Sequence, residues 1–455
     1  MSRHRARPIR VLYMDHVPRM SGAEQSLADL VIGVSRGPVE PIVVLPSDGP
    51  LAHELRGNGV LVRMVPMNRA LLETSRSALS RSPFAAIVRL GAFLAASWRV
   101  WRVIREVQPD VVHTNTLKTH LIAALPCAVA RVPLIWHVRD ILPAGWLRRT
   151  LITFAQFASV IIVPSRAVAE GFRGRARVYR KLRLIPNGIH IEEFVHARKD
   201  RSLREMIGAR PSDVAIGIVA RVAPWKGQDV FLRAAAMVAR RHPKAHFVVI
   251  GAPLFSQDHA YEAALHQMVA EMGIAERVSF LGWQPSPEAM AALDIVVHAS
   301  QEPEPFGRTL VEAMAAGKPL VAAAGGAVAE IVPPAAGFVI PPSRPELLAD
   351  ALDRLLEDKR LRARMGEAGA EIAASFFPVT RTIQSVAALY RGLAARAARK
   401  RKGRTSKKAR VEVPVERPLS WPSVQSPPMP APVRKRHRKK NHGATANAVI
   451  TVAAM

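Results

Sequence analysis

The amino-acid sequence predicts an α/β chain of two doubly wound domains with a cleft between them. Short apolar runs alternate with helical stretches through residues 1–195, and the same rhythm restarts at Val214. Such alternation calls for a parallel sheet with helices on both faces. Residues 196–213 between the two series are polar and read as a linker. Glycines and polar residues cluster just after several of the apolar runs, where sheets of this kind bind their ligands.

In the first domain the strands are expected at Ile9–Met14, Pro41–Leu45, Leu61–Pro66, Asp110–Asn115, Leu134–Val138, Val160–Val163 and Leu182–Ile185. After the first comes Ser21-Gly22-Ala23-Glu24, opening a helix that carries Leu27 and Leu30 on one face. Gly22 lets a substrate approach the backbone, and Ser21 suits an N-cap. His113 ends one strand and Trp136-His137-Val138-Arg139-Asp140 spans the end of another. A histidine in that place points into the crevice. His137 is expected to be functional, while His113 and His120 are left without a role. From Phe84 to Arg105 the pattern is helical, with Arg99, Arg102 and Arg105 on one sector and Leu90, Phe93, Leu94, Trp101 and Ile104 on another. Most of that apolar face is expected to pack on the sheet, and the basic face suits an anionic membrane surface. Pro186-Asn187-Gly188 makes a tight turn where the domain ends.

The second series begins with the run Val214–Arg221, a loop Ala223-Pro-Trp-Lys226-Gly227, and a helix with Val230, Phe231 and Ala234. Arg221 and Lys226 leave the strand end together, and two cations there can offset charge on a departing diphosphate. Strands follow at Phe247–Gly251, at Val278–Leu281 before Gly282, and at Ile295–Ala299. The stretch that organises the domain is Ser300–Gly317. Its loop holds Glu304, Phe306 and Gly307. Its helix, carrying Glu312, is closed by Gly317 with Pro319 just beyond. Free N–H groups at the start of that helix attract phosphate. Gly325-Gly326 and Gly337–Pro342 complete the sheet, and Thr380–Arg391 is helical again.

Taken in order, five of these stretches resemble the motifs of the large retaining glycosyltransferase family with the GT-B fold, family 4 or glycosyl transferases group 1. They are the loop at Gly22, the His137 strand end, Pro186-Asn187-Gly188, the Arg221–Gly227 element and the two glutamates eight apart, Glu304 and Glu312. Ser21 and Ala220 stand where that family carries glycine. The resemblance spans roughly residues 8–395. It implies two Rossmann-like domains: 1–195 on the acceptor side, and 214–378 holding a nucleotide-sugar donor. A closing helix, 379–396, then crosses back to the first domain.

The resemblance also implies roles. His137 would contact a hydroxyl of the transferred sugar. Arg221 and Lys226 would bind the donor diphosphate and help it leave, and Glu304 would hold the sugar near its 3- and 4-hydroxyls. Glu312 would bind the ribose, and the backbone of Gly307, Arg308, Thr309 and Leu310 would cradle phosphate. Gly282 would lie beside the base, with Gly22 and Asn187 completing the donor-binding set. The sugar would move to a hydroxyl acceptor, a lipid-linked or cell-surface glycan precursor, with retention at the anomeric carbon. No Asp-x-Asp triplet occurs, so neither a metal nor another cofactor is expected. The rival reading is a binding or scaffold protein of the same fold without turnover, using its basic surface for anionic lipid or nucleic acid. Loss of Arg221, Lys226 or Glu304 would mark it, and all three are present.

Composition bounds the rest. The chain has 455 residues, a formal charge of +29 and one cysteine, Cys127, so no intrachain disulfide can form and a reducing, cytoplasmic setting fits. No apolar run reaches the length of a membrane span. Residues 397–455 hold basic clusters around a Pro-rich stretch and read as a disordered tail. Anionic lipid is favoured over nucleic acid as its partner, giving peripheral association with the inner membrane face through residues 84–105 and the tail.

Overall fold

A computed structural model describes residues 7–67, 83–142, 144–197 and 202–401. The expected tail from residue 402 onward lies outside the described residues.

Two parallel sheets carry the chain. The first has strands β1 (Ile9–Met14), β2 (Val39–Leu45), β3 (Leu61–Met64), β4 (Val111–Thr114), β5 (Leu134–His137), β6 (Val160–Val163) and β7 (Leu182–Leu184). Their order across the sheet is β3-β2-β1-β4-β5-β6-β7. The second has β8 (Val214–Val219), β9 (Ala245–Ile250), β10 (Val278–Phe280), β11 (Ile295–His298), β12 (Leu320–Ala323) and β13 (Gly337–Ile340), in the order β10-β9-β8-β11-β12-β13. Each order reverses direction once, between β1 and β4 in the first sheet and between β8 and β11 in the second. At such a reversal the loops leaving two neighbouring strands diverge to opposite faces and leave a crevice.

The strands are short, Val- and Ile-rich and buried on both faces, because helices cover both sides. In the first domain one face packs Leu12, Val112, Leu134, Trp136 and Ile161 against the helices Pro83–Val107 and Leu117–Ala130. The other face packs Val11, Tyr13, Val111 and Ile135 against the helix Gly22–Ser35. The closing helix, Val379–Arg401, fills out that same layer with Val386, Leu389, Tyr390 and Leu393. It therefore crosses back to the first domain, and the crossing sits where Ile189 pairs with Pro378 in an isolated parallel bridge.

Two sequence expectations change. The polar stretch read as a linker carries the helix Ser202–Met206, which packs on the second domain. Leu203 and Ile207 are buried, and Arg204 pairs with Asp294 at 2.8 Å while its Nη2 donates to the carbonyl of Asp213. On the helix Pro83–Val107 the part that packs as expected runs from Phe93 onward, through Phe93, Ala96, Val100, Val103, Ile104 and Val107. Leu90, Leu94 and Trp98, expected or available as packing residues, are 58, 54 and 55% exposed. The cause is length. Arg99 donates to the carbonyl of Pro66 at 2.6 Å, just past the end of β3, so the helix passes the sheet's edge near this level; Ala96 and Phe93 still pack on the core, and Leu90, Leu94 and Trp98 do not.

Candidate active site

The second sheet explains why residues 78 positions apart meet. β8 and β11 are neighbours at the reversal, paired Ile216 to Ile295 and Gly217 to Val296. Their loops, Ala220–Gly227 and Ala299–Gly307, therefore run side by side, tied by Gln301 N–H donating to the Trp225 carbonyl at 2.8 Å. Lys226 Nζ donates to Glu304 Oε2 at 2.8 Å, and both side chains are largely buried, at 15 and 13% exposure. His298, the last residue of β11, brings Nε2 to 3.4 Å from the same oxygen. Burial works to raise the Glu304 carboxyl, but the Lys226 ammonium and His298 outweigh it and hold the group well below the usual carboxylate range. Lys226 lies 4.1 Å from the Trp225 ring centre, and Arg221 lies over Trp225 and Phe255 at 5.4 and 5.0 Å. Sequence reasoning missed Trp225, His298 and Phe255.

Glu304 is also fixed through its backbone. Its carbonyl accepts from Ala327 N–H at 2.8 Å, and Glu304 pairs with Gly326 in an isolated bridge. Gly326 has φ +58°, and a Cβ there would strike the Glu304 carbonyl oxygen, so only glycine permits the pairing. Gly307, with φ +82°, turns the chain into the helix Arg308–Ala315. The N–H groups of Arg308 and Thr309 open that helix without an intrahelical acceptor, whereas Leu310 N–H, expected to cradle phosphate, donates to the Gly307 carbonyl at 3.0 Å. Gly317, with φ +71°, closes it as expected.

Two predicted donor residues are engaged with other groups. Arg308 donates to Glu312 at 2.6 Å, and across to the first domain, to Asp29 at 2.8 Å and Ser26 at 3.3 Å. Glu312 also accepts from Ser286 at 2.7 Å. Further contacts join the domains at the same level. Ser165 donates to the Pro305 carbonyl at 2.6 Å, the Glu330 carboxylate accepts from the N–H groups of Arg166 and Ala167, and Arg19 donates to the Leu254 carbonyl. The loop bearing Glu304 is thus clamped against the first domain. Gly282 lies after β10, its carbonyl accepting from Gly251 N–H at 2.7 Å, and beside it Trp283 is exposed.

On the facing side, beyond β1, β4 and β5, stands a buried polar cluster. Arg139, partly buried, donates to Asn115 at 2.6 Å and to Asn187 at 2.8 Å, and its Nη2 lies 3.4 Å from His137 Nδ1. Asn115 in turn donates to Asp15 at 2.7 Å. Burial, with the nearby Glu24 carboxylate, pushes Asp15 up to about 7. Burial lowers the Arg139 guanidinium to about 10, and Glu24 and Asp15 oppose that fall. Ser21 caps the helix Gly22–Ser35 by position, yet its hydroxyl goes to the Glu24 carboxylate and not to a backbone N–H. Gly22 has no heavy atom near where a Cβ would stand. His137 and Asn187 therefore meet through Arg139, which the sequence reading quoted in a motif but gave no task. Its role was invisible because its partners lie 24 and 48 residues away.

Comparison with known proteins matches this architecture. The family model for glycosyl transferases group 1 matches residues 200–372, and the one for glycosyltransferase family 4 matches residues 20–193. A GDP-mannose-dependent monoacylated alpha-(1-6)-phosphatidylinositol monomannoside mannosyltransferase of Corynebacterium glutamicum is 30% identical over 196 residues, covering 41% of this chain and 49% of its own. A D-inositol 3-phosphate glycosyltransferase of Nocardia farcinica is 32% identical over 203 residues, 43 and 44% of the two chains. The chain thus spans about half the length of the curated relatives it matches. Among solved structures, Anabaena HepE in complex with UDP-glucose superposes with a TM-score of 0.71 at 28% identity, over 84% of this chain and 100% of that one.

Proposed function

Because the chain belongs to the family 4, group 1 glycosyltransferases and has their GT-B fold, we propose that it moves a sugar from a nucleotide-sugar donor to an acceptor hydroxyl with retention at the anomeric carbon. The observation that carries this reading is the buried Lys226–Glu304 pair beside the start of the helix Arg308–Ala315. In the reaction the bond from the anomeric carbon to the diphosphate oxygen breaks, a bond to the acceptor oxygen forms on the same sugar face, and the acceptor's hydroxyl proton passes to the departing diphosphate oxygen. Charge then builds on the diphosphate. Arg221, Lys226 and the helix N–H groups of Arg308 and Thr309 are the groups that meet it. An ammonium has three donors, so Lys226 can keep Glu304 while taking a phosphate oxygen. Glu304 is thereby held ionised as an acceptor for two sugar hydroxyls. Glu312 takes the ribose by exchanging one of its present partners. The reading needs no resident metal or other cofactor, since the protein supplies the cations.

The test is a thermal-shift screen against UDP-, GDP- and ADP-sugars. HepE was crystallised with UDP-glucose and a relative is GDP-mannose-dependent, so both bases belong in it. A shift with one base, lost in Lys226→Ala, is the expected result. No shift with any donor would move the protein to the rival reading of a fold kept for binding alone.

The acceptor is proposed to be lipid-linked. Among the described residues no helix is long and apolar enough to cross a membrane. The helix Pro83–Val107 instead offers Leu90, Leu94 and Trp98 at four-residue spacing, exposed beyond the sheet's carboxyl edge, with Arg99, Arg102 and Arg105 alongside. Arg102 stacks on the Trp98 ring at 5.0 Å. Apolar side chains flanked by arginine suit an anionic bilayer surface. Vesicle co-sedimentation with and without acidic lipid should show binding that Leu94→Glu/Trp98→Glu removes. Equal sedimentation of the two proteins would refute this surface.

A further inference from the structure

Beneath the site runs a chain of four buried rings. Tyr13 Oη lies 2.7 Å from Tyr390 Oη, Tyr390 Oη lies 2.7 Å from His113 Nδ1, and His113 Nε2 lies 3.3 Å from His137 Nδ1. Three of the rings come from β1, β4 and β5, and Tyr390 comes from the closing helix. His137 Nε2 is buried and has no partner among the described residues. Burial keeps both histidines neutral, lowering His113 to about 3 and His137 well below the ordinary histidine value. Each neutral imidazole has one N–H and one lone pair, and each hydroxyl has one proton.

Two proton arrangements would satisfy the chain by itself, one running toward His137 and one running away from it. Arg139 decides between them. A guanidinium only donates, and its Nη2 faces His137 Nδ1 at 3.4 Å. His137 Nδ1 must then be the acceptor. His113 Nε2–H donates to it, the Tyr390 hydroxyl donates to His113 Nδ1, and the Tyr13 hydroxyl donates to Tyr390. The proton of His137 is left on Nε2, the one atom of the chain without a protein partner.

We propose that Arg139 and Tyr390 are positioning residues that together fix His137 as an Nε2–H hydrogen-bond donor toward the sugar, Arg139 directly and Tyr390 through His113, so that His137 serves as a donor and not as a base. The inference rests on the reading that His137 faces the substrate. Its further content is that the closing helix sets the proton of a residue in the cleft. His120 shows that the arrangement is local and not general. Its Nδ1 lies 2.7 Å from Thr114 Oγ1, whose own proton goes to the Ile135 carbonyl, so His120 donates from Nδ1.

The experiment uses the full chain labelled with 15N-histidine, with His137 assigned from the spectrum of His137→Asn. Long-range proton–nitrogen correlation reads the tautomer of each histidine directly. Wild type should show His137 and His113 as single Nε2–H forms and His120 as the Nδ1–H form. In Tyr390→Phe, which keeps the ring, His113 loses the donor at its Nδ1 and should become a mixture of tautomers, and His137, then held by the 3.4 Å contact of Arg139, should gain a minor Nδ1–H share. Turnover should fall about tenfold with the donor KM unchanged. An Nδ1–H signal for His137 in wild type overturns the proposal whatever the activity. So does a Tyr390→Phe protein that is less heat-stable but keeps both the tautomer and kcat, because Tyr390 would then only fill the core. Full turnover in His137→Ala would refute the substrate role of His137, while the spectra would still report the proton chain independently.

Discussion

Replacing Lys226 with methionine keeps most of the side chain's bulk and removes its charge, which makes it the sharpest probe of the pair with Glu304. At 2.8 Å and an effective dielectric near 20, the attraction is about 6 kcal/mol before desolvation. Desolvating the two ions cancels much of this in the intact protein. Removing one partner does not restore the balance, because the Glu304 carboxylate stays buried without its counterion. The cost of breaking a buried pair in this way is about 3 kcal/mol, the low end of the usual range. For a domain of this size that is roughly 6 to 12 °C in Tm. Lys226→Met/Glu304→Gln should recover most of the stability, because the orphan charge is gone. It should not recover turnover, which is expected to stay at least tenfold down, about 1.4 kcal/mol or more of lost transition-state stabilisation. Differential scanning fluorimetry and a sugar-transfer assay on the two variants read both quantities. If Lys226→Met matched wild type in Tm and turnover, the site assignment would be wrong. If the double variant regained turnover along with stability, Lys226 would serve only to hold Glu304 and would have no work at the diphosphate. Lys226→Ala and Glu304→Ala are each expected to lose at least tenfold in turnover by the same reasoning.

Two further predictions follow from charge placement. Arg308→Ala leaves Asp29 and Glu312 without their common cation, at a cost of about 2 kcal/mol. Donor affinity should fall, and small-angle scattering should show a larger radius of gyration as the domains part; an unchanged scattering curve would show that this pair does not hold the cleft. Acid should also destabilise the fold well above the range of carboxylate titration. His113 and His16 are lowered to about 3 and about 4, and His120 and His137 lie well below their ordinary value, all chiefly through burial. Their stabilising contribution is whole above about pH 6.5, where the unfolded chain is neutral too. It is lost as pH falls from there toward the folded values, at about 1.4 kcal/mol per pH unit for each histidine. Asp15, raised to about 7, and Glu24, also raised, run the other way: they give back stability on acidification. Four groups against two leave a net loss of stability as pH falls from 6 to 5. Urea midpoints at pH 7 and pH 5 measure it, and an unchanged or higher midpoint at pH 5 would contradict the burial of these histidines.

The strands and the order of the motifs were legible because they are local. Val214–Val219 and Ile295–His298 announce themselves by unbroken apolar runs, and the doubly wound rule then places their loops together. That rule alone puts Lys226 beside Glu304. What the sequence hides is pairing across long separations. Nothing near Arg308 points to Asp29, and nothing near His113 points to Tyr390, since both pairs depend on how the domains and the closing helix pack. The helix Pro83–Val107 shows another limit. Its periodicity marks an apolar face correctly, but periodicity does not say where the supporting sheet stops. Leu90 and Leu94 were grouped with Ile104, which is buried, although they lie beyond the sheet edge.

The closing helix has a consequence for how this protein is made. Val386, Leu389, Tyr390 and Leu393 belong to the same apolar layer as Val11, Tyr13, Leu27 and Val31. On the ribosome the amino-terminal residues of that layer emerge first, and they wait for nearly the whole chain before their last partners arrive. A nascent chain stalled within the second domain therefore exposes an apolar seam on the first, open to chaperones or to aggregation. Cutting a gene for this protein at the apparent domain boundary would leave the amino-terminal fragment in the same condition, whereas the second domain carries its own core and is the half to express alone.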